Sequence, residues 1–363
     1  MLLVTGGLGY LGCRLVAHIL ASTDARIRLL VRPGTDHTVL EQEHPAAHRI
    51  ELFPASFNCV EDLKEALKDI DTVYHLAASL RGSYAAQVAN TVVGTENLFS
   101  AVLKAAVTRI VLVSSFSVMG VSQAAVVDES VPLESHPEWR DPYAFAKLRQ
   151  EELAWRYIRE HQLPIVIVRP GVIYGPGAPI LTSRIGLRLF GVFLHLGGSS
   201  KIPLTHVENC AEAVLRAGQV ADINGEVFNI CDDRLPTAKE ILRQYRRAVE
   251  KIPYLTIPYF VLRLIAKLNE LYTVKTQGHL PLVFRPYLVN NMWKSRQYSN
   301  GKAKQLLGWT PRIPVEDGLR STVEYIRASR HTRPTPTKGA KPKGGHPTQA
   351  ATSPVAVGGE VGI

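Results

Sequence analysis

Two hydrophobic periods alternate along the first half of the chain. Met1–Thr5 (MLLVT) is a short apolar run, and Cys13–Ala21 (CRLVAHILA) places its apolar residues at helical spacing. Arg26–Val31, Ile50–Phe53, Asp71–Leu76, Arg109–Val113 and Ile165–Val168 then read as buried strands. Val60–Lys68, Asn90–Lys104 and the stretch from Tyr143 to about Glu160 read as helices between them. Strands alternating with helices at this spacing predict an α/β fold with a doubly wound parallel sheet. Beyond it, Leu187–Leu196 (LRLFGVFLHL) reads as core or pocket wall rather than as a membrane-surface patch. Ala238–Val249 reads as a polar-faced helix, and Tyr259–Tyr272 as an amphipathic one. The latter carries Val261, Leu264, Ile265, Leu268 and Leu271 on one stripe. Core packing is the expectation for that stripe, with a lid or membrane-surface helix as the alternative. A last helix is predicted from Val315 to about Ala328. The sequence after it is rich in Pro, Gly, Thr and Lys and is expected to be disordered.

Composition narrows the partners more than the fold. With 363 residues, 46% of them hydrophobic, the chain can bury a large core. The net charge of +10 is concentrated: Arg330, Arg333, Lys338, Lys341 and Lys343 face only Glu360, so about +4 sits in the tail. Nucleic-acid binding is therefore not expected, because no reader motif accompanies the charge. A weak attraction of the tail to an anionic membrane surface is the sharper alternative to plain solvation. Cys13, Cys59, Cys210 and Cys231 show no C-x-x-C spacing, so neither a metal site nor a disulfide framework is expected, and reduced, cytoplasmic thiols fit best. The chain starts directly on its first strand, without a stretch that reads as a signal sequence, and no apolar run approaches a membrane span.

The chemistry begins at Gly6-x-x-Gly9-x-x-Gly12, set between the first strand and first helix. Gly6 permits the tight turn, Gly9 lets a pyrophosphate approach the backbone, and Gly12 lets helix and strand pack closely. The helix start that follows, Tyr10 and Leu11, offers backbone N–H groups to a phosphate. Arg32, at the end of the second strand, stands where an acidic residue would accept from a ribose hydroxyl. An arginine there pairs with a 2′-phosphate, so NADP is expected over NAD. Ala77 and Ala78, which follow Leu76 at a strand end, are small enough for a flat ligand to lie against the backbone, and all three are expected to line the cofactor. Tyr143 and Lys147 are four residues apart on one helix and share a face. A lysine beside a phenol is expected to lower its pKa into a range useful for proton transfer.

With these residues in order, the chain resembles the extended short-chain dehydrogenase/reductase family. The likeness rests on TGGLGYLG (Thr5–Gly12), DTVYHLAA (Asp71–Ala78), NTVVGTENL (Asn90–Leu98), VSSFSVMG (Val113–Gly120) and YAFAK (Tyr143–Lys147). It continues through RPGVIYGPG (Arg169–Gly177), HVENCAEA (His206–Ala213) and LGWTP (Leu307–Pro311). It implies a Rossmann-type domain over residues 1–177 and a smaller C-terminal substrate-binding α/β part over 178–328. Some segments of that part return to the first domain, and a basic tail spans 329–363. It also implies a catalytic set of Ser115, Tyr143 and Lys147, with Pro170, Gly171 and Val172 near the nicotinamide. His206 reads as structural or pocket-lining. Two departures stand out. Ala55-Ser56 replaces the acidic residue that often meets the adenine, and Phe116 and Ser117 follow Ser115 where dehydratases carry a carboxylate, so dehydration is disfavoured.

The expected activity is NAD(P)-dependent hydride transfer at a secondary alcohol or ketone of a small molecule. Likeness to hydroxysteroid dehydrogenases and dihydroflavonol reductases mildly favours a hydrophobic or lipid-linked substrate. A nucleotide-sugar epimerase with tightly held NAD is the first alternative, and a non-catalytic dinucleotide sensor the second. Family members commonly pair helices across a two-fold axis, and the resemblance implies that a homodimer would use the helices Val92–Lys104 and Ala144–Glu160.

Overall fold

The computed structural model describes residues 1–35, 46–80, 82–120, 124–275 and 286–331. Seven strands form its central sheet: β1 (Leu2–Thr5), β2 (Ile27–Val31), β3 (Ile50–Pro54), β4 (Thr72–His75), β5 (Arg109–Val113), β7 (Ile165–Pro170) and β12 (Val227–Ile230). Their order is β12-β7-β5-β4-β1-β2-β3, and every pair is parallel. The sheet is buried on both faces, so its strands are apolar at nearly every position.

The period of two assigns side chains to layers. Val4, Leu29, Val111, Val113, Val166 and Val168 face the helices Tyr10–Ser22 and Val207–Gln219. Their neighbours Leu3, Leu30, Ile110, Leu112, Ile165 and Ile167 face Val60–Ala66, Gly94–Val102 and Pro142–His161. A third core holds the smaller part together, joining Tyr174, Ile185, Phe193 and Leu204 to the helix Ala238–Ala248 and to Val315, Leu319 and Val323. Short sheets complete that part: β8 (Val172–Tyr174) with β11 (Leu204–His206), and β9 (Gly186–Leu189), β10 (Val192–His195) and β13 (Tyr254–Thr256) together. β6 (Val126–Val127) pairs with β14 (Gln297–Tyr298). The order of the main sheet reverses between β1 and β4, the place where open α/β sheets leave a crevice at the carboxyl ends of their strands.

Several elements depart from the sequence expectations. Asn90–Lys104 is not one regular helix: a π turn over Ala89–Val93 leads into Gly94–Val102, so the turn is wider by one residue there. Leu187–Leu196 is a hairpin that buries Phe193 and Leu196 but leaves Leu189, Phe190 and Val192 exposed. The stripe expected in the core of the helix Tyr259–Lys275 also points outward. Leu264, Ile265, Leu268 and Leu271 are exposed, and the helix packs through Leu262 and Ala266 instead. It is apolar on nearly all sides, so the pattern alone could not select the packed one. The last helix runs Val315–His331, where Arg330 donates to Glu250 Oε2 at 3.0 Å. The rest of the expected tail, 332–363, lies outside the described residues.

One buried ion pair ties the sheet to the helix Pro142–His161. The Arg169 guanidinium on β7 forks onto Glu151, which also accepts from Ser114 Oγ at 2.5 Å and Trp155 Nε1 at 3.2 Å. Removing one partner strands a charge in the core. Arg169→Met is expected to cost about 3–5 kcal/mol of unfolding free energy in urea titrations, and the double variant Arg169→Met/Glu151→Gln less than Arg169→Met alone.

Candidate active site

The crevice between β1 and β4 opens into a cleft of about 1160 Å³. The residues named in the sequence for the cofactor and for catalysis all line it: Gly6, Gly9, Tyr10, Leu11, Gly12, Arg32, Leu76, Ala77, Ala78, Ser115, Tyr143, Lys147, Pro170, Gly171 and Val172. At one end the missing side chains of two glycines shape the wall. Gly6 has φ +72°, and a Cβ there would stand 2.9 Å from the Ala77 nitrogen. A Cβ on Gly12 would stand 2.1 Å from the Gly6 carbonyl oxygen. The helix that starts at Tyr10 has Gly9 as its N-cap, no side-chain cap and no acidic residue in its first turn. Its N–H groups are thus free for an anion, and this cradle fits the pyrophosphate of a dinucleotide.

At the other end the hydroxyls meet. Ser115 Oγ accepts from the Ser117 amide and the Ser117 hydroxyl, both at 3.1 Å. Its own proton is left for Tyr143, with which it is hydrogen bonded. Burial pushes the Tyr143 phenol above its ordinary pKa, the Ser115 bond opposes this, and the Asp141 charge adds to it. The expected lowering by Lys147 is therefore not what this geometry gives. Lys147 is buried and turns its ammonium to the Val113 carbonyl at 2.7 Å and Gln150 Oε1 at 2.9 Å. Burial lowers its pKa to about 7, with the Glu151 charge opposing.

A neutral network supports that lysine. Gln150 Nε2 donates to Thr95 Oγ1 at 2.7 Å, and the Thr95 proton goes to the Thr91 carbonyl. Thr95 must then accept from His75 Nε2 at 2.8 Å, which leaves His75 Nδ1 to accept from Thr5 Oγ1 at 2.7 Å. This single tautomer agrees with His75 being held to a pKa of about 3 by burial and by the Lys147 charge. The i+3 spacing of Gln150 from Lys147 was a usable signal for this network. Nothing in the sequence pointed to Thr5 or Thr95.

Arginines that the sequence reading missed stand at or near the wall of the cleft. Arg140 and Arg184 line the cleft. Arg140 pairs with the buried Glu134 at 3.4 Å and donates to the Ser117 and Met119 carbonyls. Arg296 is buried, with Nε and Nη2 lacking acceptors, and lies close enough to Arg184 for the two charges to repel. His206 caps the helix Val207–Gln219, its Nδ1 accepting from the Glu208 amide at 3.4 Å. Asp232 accepts from the Tyr174 hydroxyl, the Asn209 amide and the His206 backbone, and burial raises it to about pKa 6.

This arrangement matches a known family. The family model "NAD dependent epimerase/dehydratase family" fits residues 2–231. The chain belongs to that family. Its members of the extended short-chain type are NAD(P)-dependent dehydrogenases, reductases and epimerases, and this chain is an enzyme of that type. The 3β-hydroxysteroid-dehydrogenase/decarboxylase isoform 2 of Arabidopsis thaliana is 26% identical over 94% of this chain, which spans 65% of that protein. The UDP-glucose 4-epimerase of Vibrio cholerae is 23% identical, with 90% of this chain and 96% of that one covered. The crystal structure of gox2253 superposes with a TM-score of 0.75 at 27% identity, covering 92% of this chain and 99% of that one.

His75 generates a pH signature. The unfolded chain protonates this histidine near its ordinary 6.5, whereas the folded chain resists protonation down to about 3. Its share of the stability is therefore complete above that upper value and is lost as the pH falls through this window. In urea unfolding midpoints measured across the window, His75→Asn is expected to show a shallower acid loss than wild type.

Proposed function

We propose that the protein is an NADP-preferring oxidoreductase acting on a secondary alcohol or ketone, with Tyr143 as the proton-exchanging group. The observation that carries this reading is the Ser115 hydroxyl, both of whose acceptor positions are filled by Ser117, so that its proton is aimed at Tyr143. The nicotinamide cofactor supplies or takes the hydride when bound. Tyr143 exchanges a proton with the substrate oxygen, and Ser115, donating to the phenol oxygen, favours its phenolate form. Lys147, anchored by two neutral acceptors, keeps a third hydrogen for a ribose hydroxyl at the cleft side. Arg32 is exposed at the adenosine end of the cleft, which suits pairing with a 2′-phosphate.

The substrate end supports a substrate with an anionic group. Arg184 stands on the cleft wall, and the buried Arg296 lacks acceptors for two of its nitrogens. A carboxylate or phosphate entering the cleft meets the Arg184 guanidinium on its wall, and the Arg296 charge behind it adds to the attraction.

Tyr143→Phe is expected to lower kcat by roughly a hundredfold or more while leaving dinucleotide affinity near wild type by fluorescence titration. Retained turnover in that variant rejects the reading. Arg32→Ala is expected to raise the KM for NADPH by roughly ten- to a hundredfold, with little change for NADH. Chromatography of the denatured protein provides the broader check. Stoichiometric NAD carried through purification supports epimerisation instead.

A further inference from the structure

We propose that the face formed by the β9–β10 turn, the edge of β13 and the outer side of the helix Tyr259–Lys275 docks on an anionic lipid bilayer. Viewed down the helix at 100° per residue, Phe260, Leu271, Leu264, Leu268, Tyr272 and Ile265 fill one continuous outward arc. They are 72, 51, 56, 57, 52 and 42% exposed, and no charged residue between Tyr259 and Tyr272 falls inside the arc. The opposite side, Leu262 and Ala266, is buried against the protein.

The sheet beside the helix continues this surface. Leu187, Leu194 and Leu255 are in register across β9, β10 and β13, so their side chains share a face. Leu187 and Leu194 pack under the helix, while Leu255 is 58% exposed. Leu189 and Val192, the last register pair before the turn, lie on the same face and are also exposed. At the tip, Phe190 is 96% exposed and has φ +47°, with Gly191 beside it at φ +80°. Asn, Asp or Gly normally occupies such a turn, and a bulky side chain there is strained. A strained, fully presented phenylalanine continuous with two other apolar edges has the form of an insertion wedge.

The border of the face indicates what covers it. Arg263 and Lys267 flank the apolar arc along one side, with the single carboxylate of Glu270 farther from it than either, and Lys251 stands exposed before β13. Tyr254 and Tyr272 add aromatic rings with polar tips at the margin. Cations and tyrosines around an apolar wedge match the headgroup region of a membrane with negative lipids. Among the described residues no helix is long and apolar enough to cross a membrane, so the contact is made from one side. The inner side of the same helix packs on Val289 and Trp293, and the helix Pro286–Trp293 contributes Leu288, Asn291 and Met292 to the cleft. Docking therefore sets the substrate end of the cleft one helix away from the lipid.

The test is co-sedimentation of the full chain with vesicles of phosphatidylcholine, with and without a third of phosphatidylglycerol. Wild type is expected to bind the anionic vesicles. The variant Phe190→Ser/Leu264→Ser/Leu268→Ser is expected to bind them at least roughly tenfold more weakly with unchanged circular dichroism. Arg263→Gln/Lys267→Gln is expected to lose the preference for phosphatidylglycerol. Phe190→Trp gives a readout that leaves the rest of the face intact: its emission should shift to the blue on anionic vesicles and be quenched by brominated lipid. Absence of binding, or binding that the triple serine variant leaves unchanged because the basic tail suffices, overturns the proposal. So does a lipid-free dimer that the triple variant converts to monomer, since a second copy then covers the face. None of these outcomes depends on the catalytic reading.

Discussion

The buried ammonium of Lys147 is the constraint around which the site is built. A cation taken out of water requires partners, and no carboxylate touches this one. The fold meets the requirement with neutral acceptors: the last carbonyl of β5 and the Gln150 side chain one turn along the same helix. Gln150 is itself fixed by Thr95, and Thr95 by the Thr91 carbonyl four residues back. The strands β1, β4 and β5 and two helices are thereby registered on one side chain. The nearby Glu151 spends its charge on Arg169, which stiffens the helix beneath the lysine without neutralising it.

Much of this was legible before any coordinates. The strand–glycine–helix start, the alternation of strands and helices, and the spacing of Tyr143 and Lys147 each have a local cause, so a local reading reaches them. The cleft accordingly holds every residue named for it, from Gly6 to Val172. What escaped depends on contacts distant in sequence. Thr5, His75, Thr95 and Gln150 meet across four elements, and Arg140, Arg184 and Arg296 converge from three separate loops or turns. Their individual spacings carry no trace of that convergence.

The helix Tyr259–Lys275 shows a different limit. Periodicity reports which side chains can share a side, and on a helix apolar nearly all round it yields two answers. Packing used the narrow side of Leu262 and Ala266, where small or inward residues let the helix approach the sheet and the helix Pro286–Trp293. The broader side, richer in leucine, stayed in solvent. Hydrophobicity alone would have ranked them the other way. Close approach rather than total apolar area decided the outcome.

The directions of the hydrogen bonds around Lys147 also limit where protons can travel. Each link inward ends on a group that cannot pass a proton on: the Val113 carbonyl, the Gln150 amide oxygen and, at the far end, the Thr91 carbonyl. His75, the titratable group beyond Lys147, has both ring nitrogens committed and stays neutral far below ordinary pH. The core is thus insulated, a wall with no wire through it. Through this network no proton reaches the hydroxyls of the cleft, which leaves Lys147 and the solvent side as their supply when a bound molecule closes the mouth.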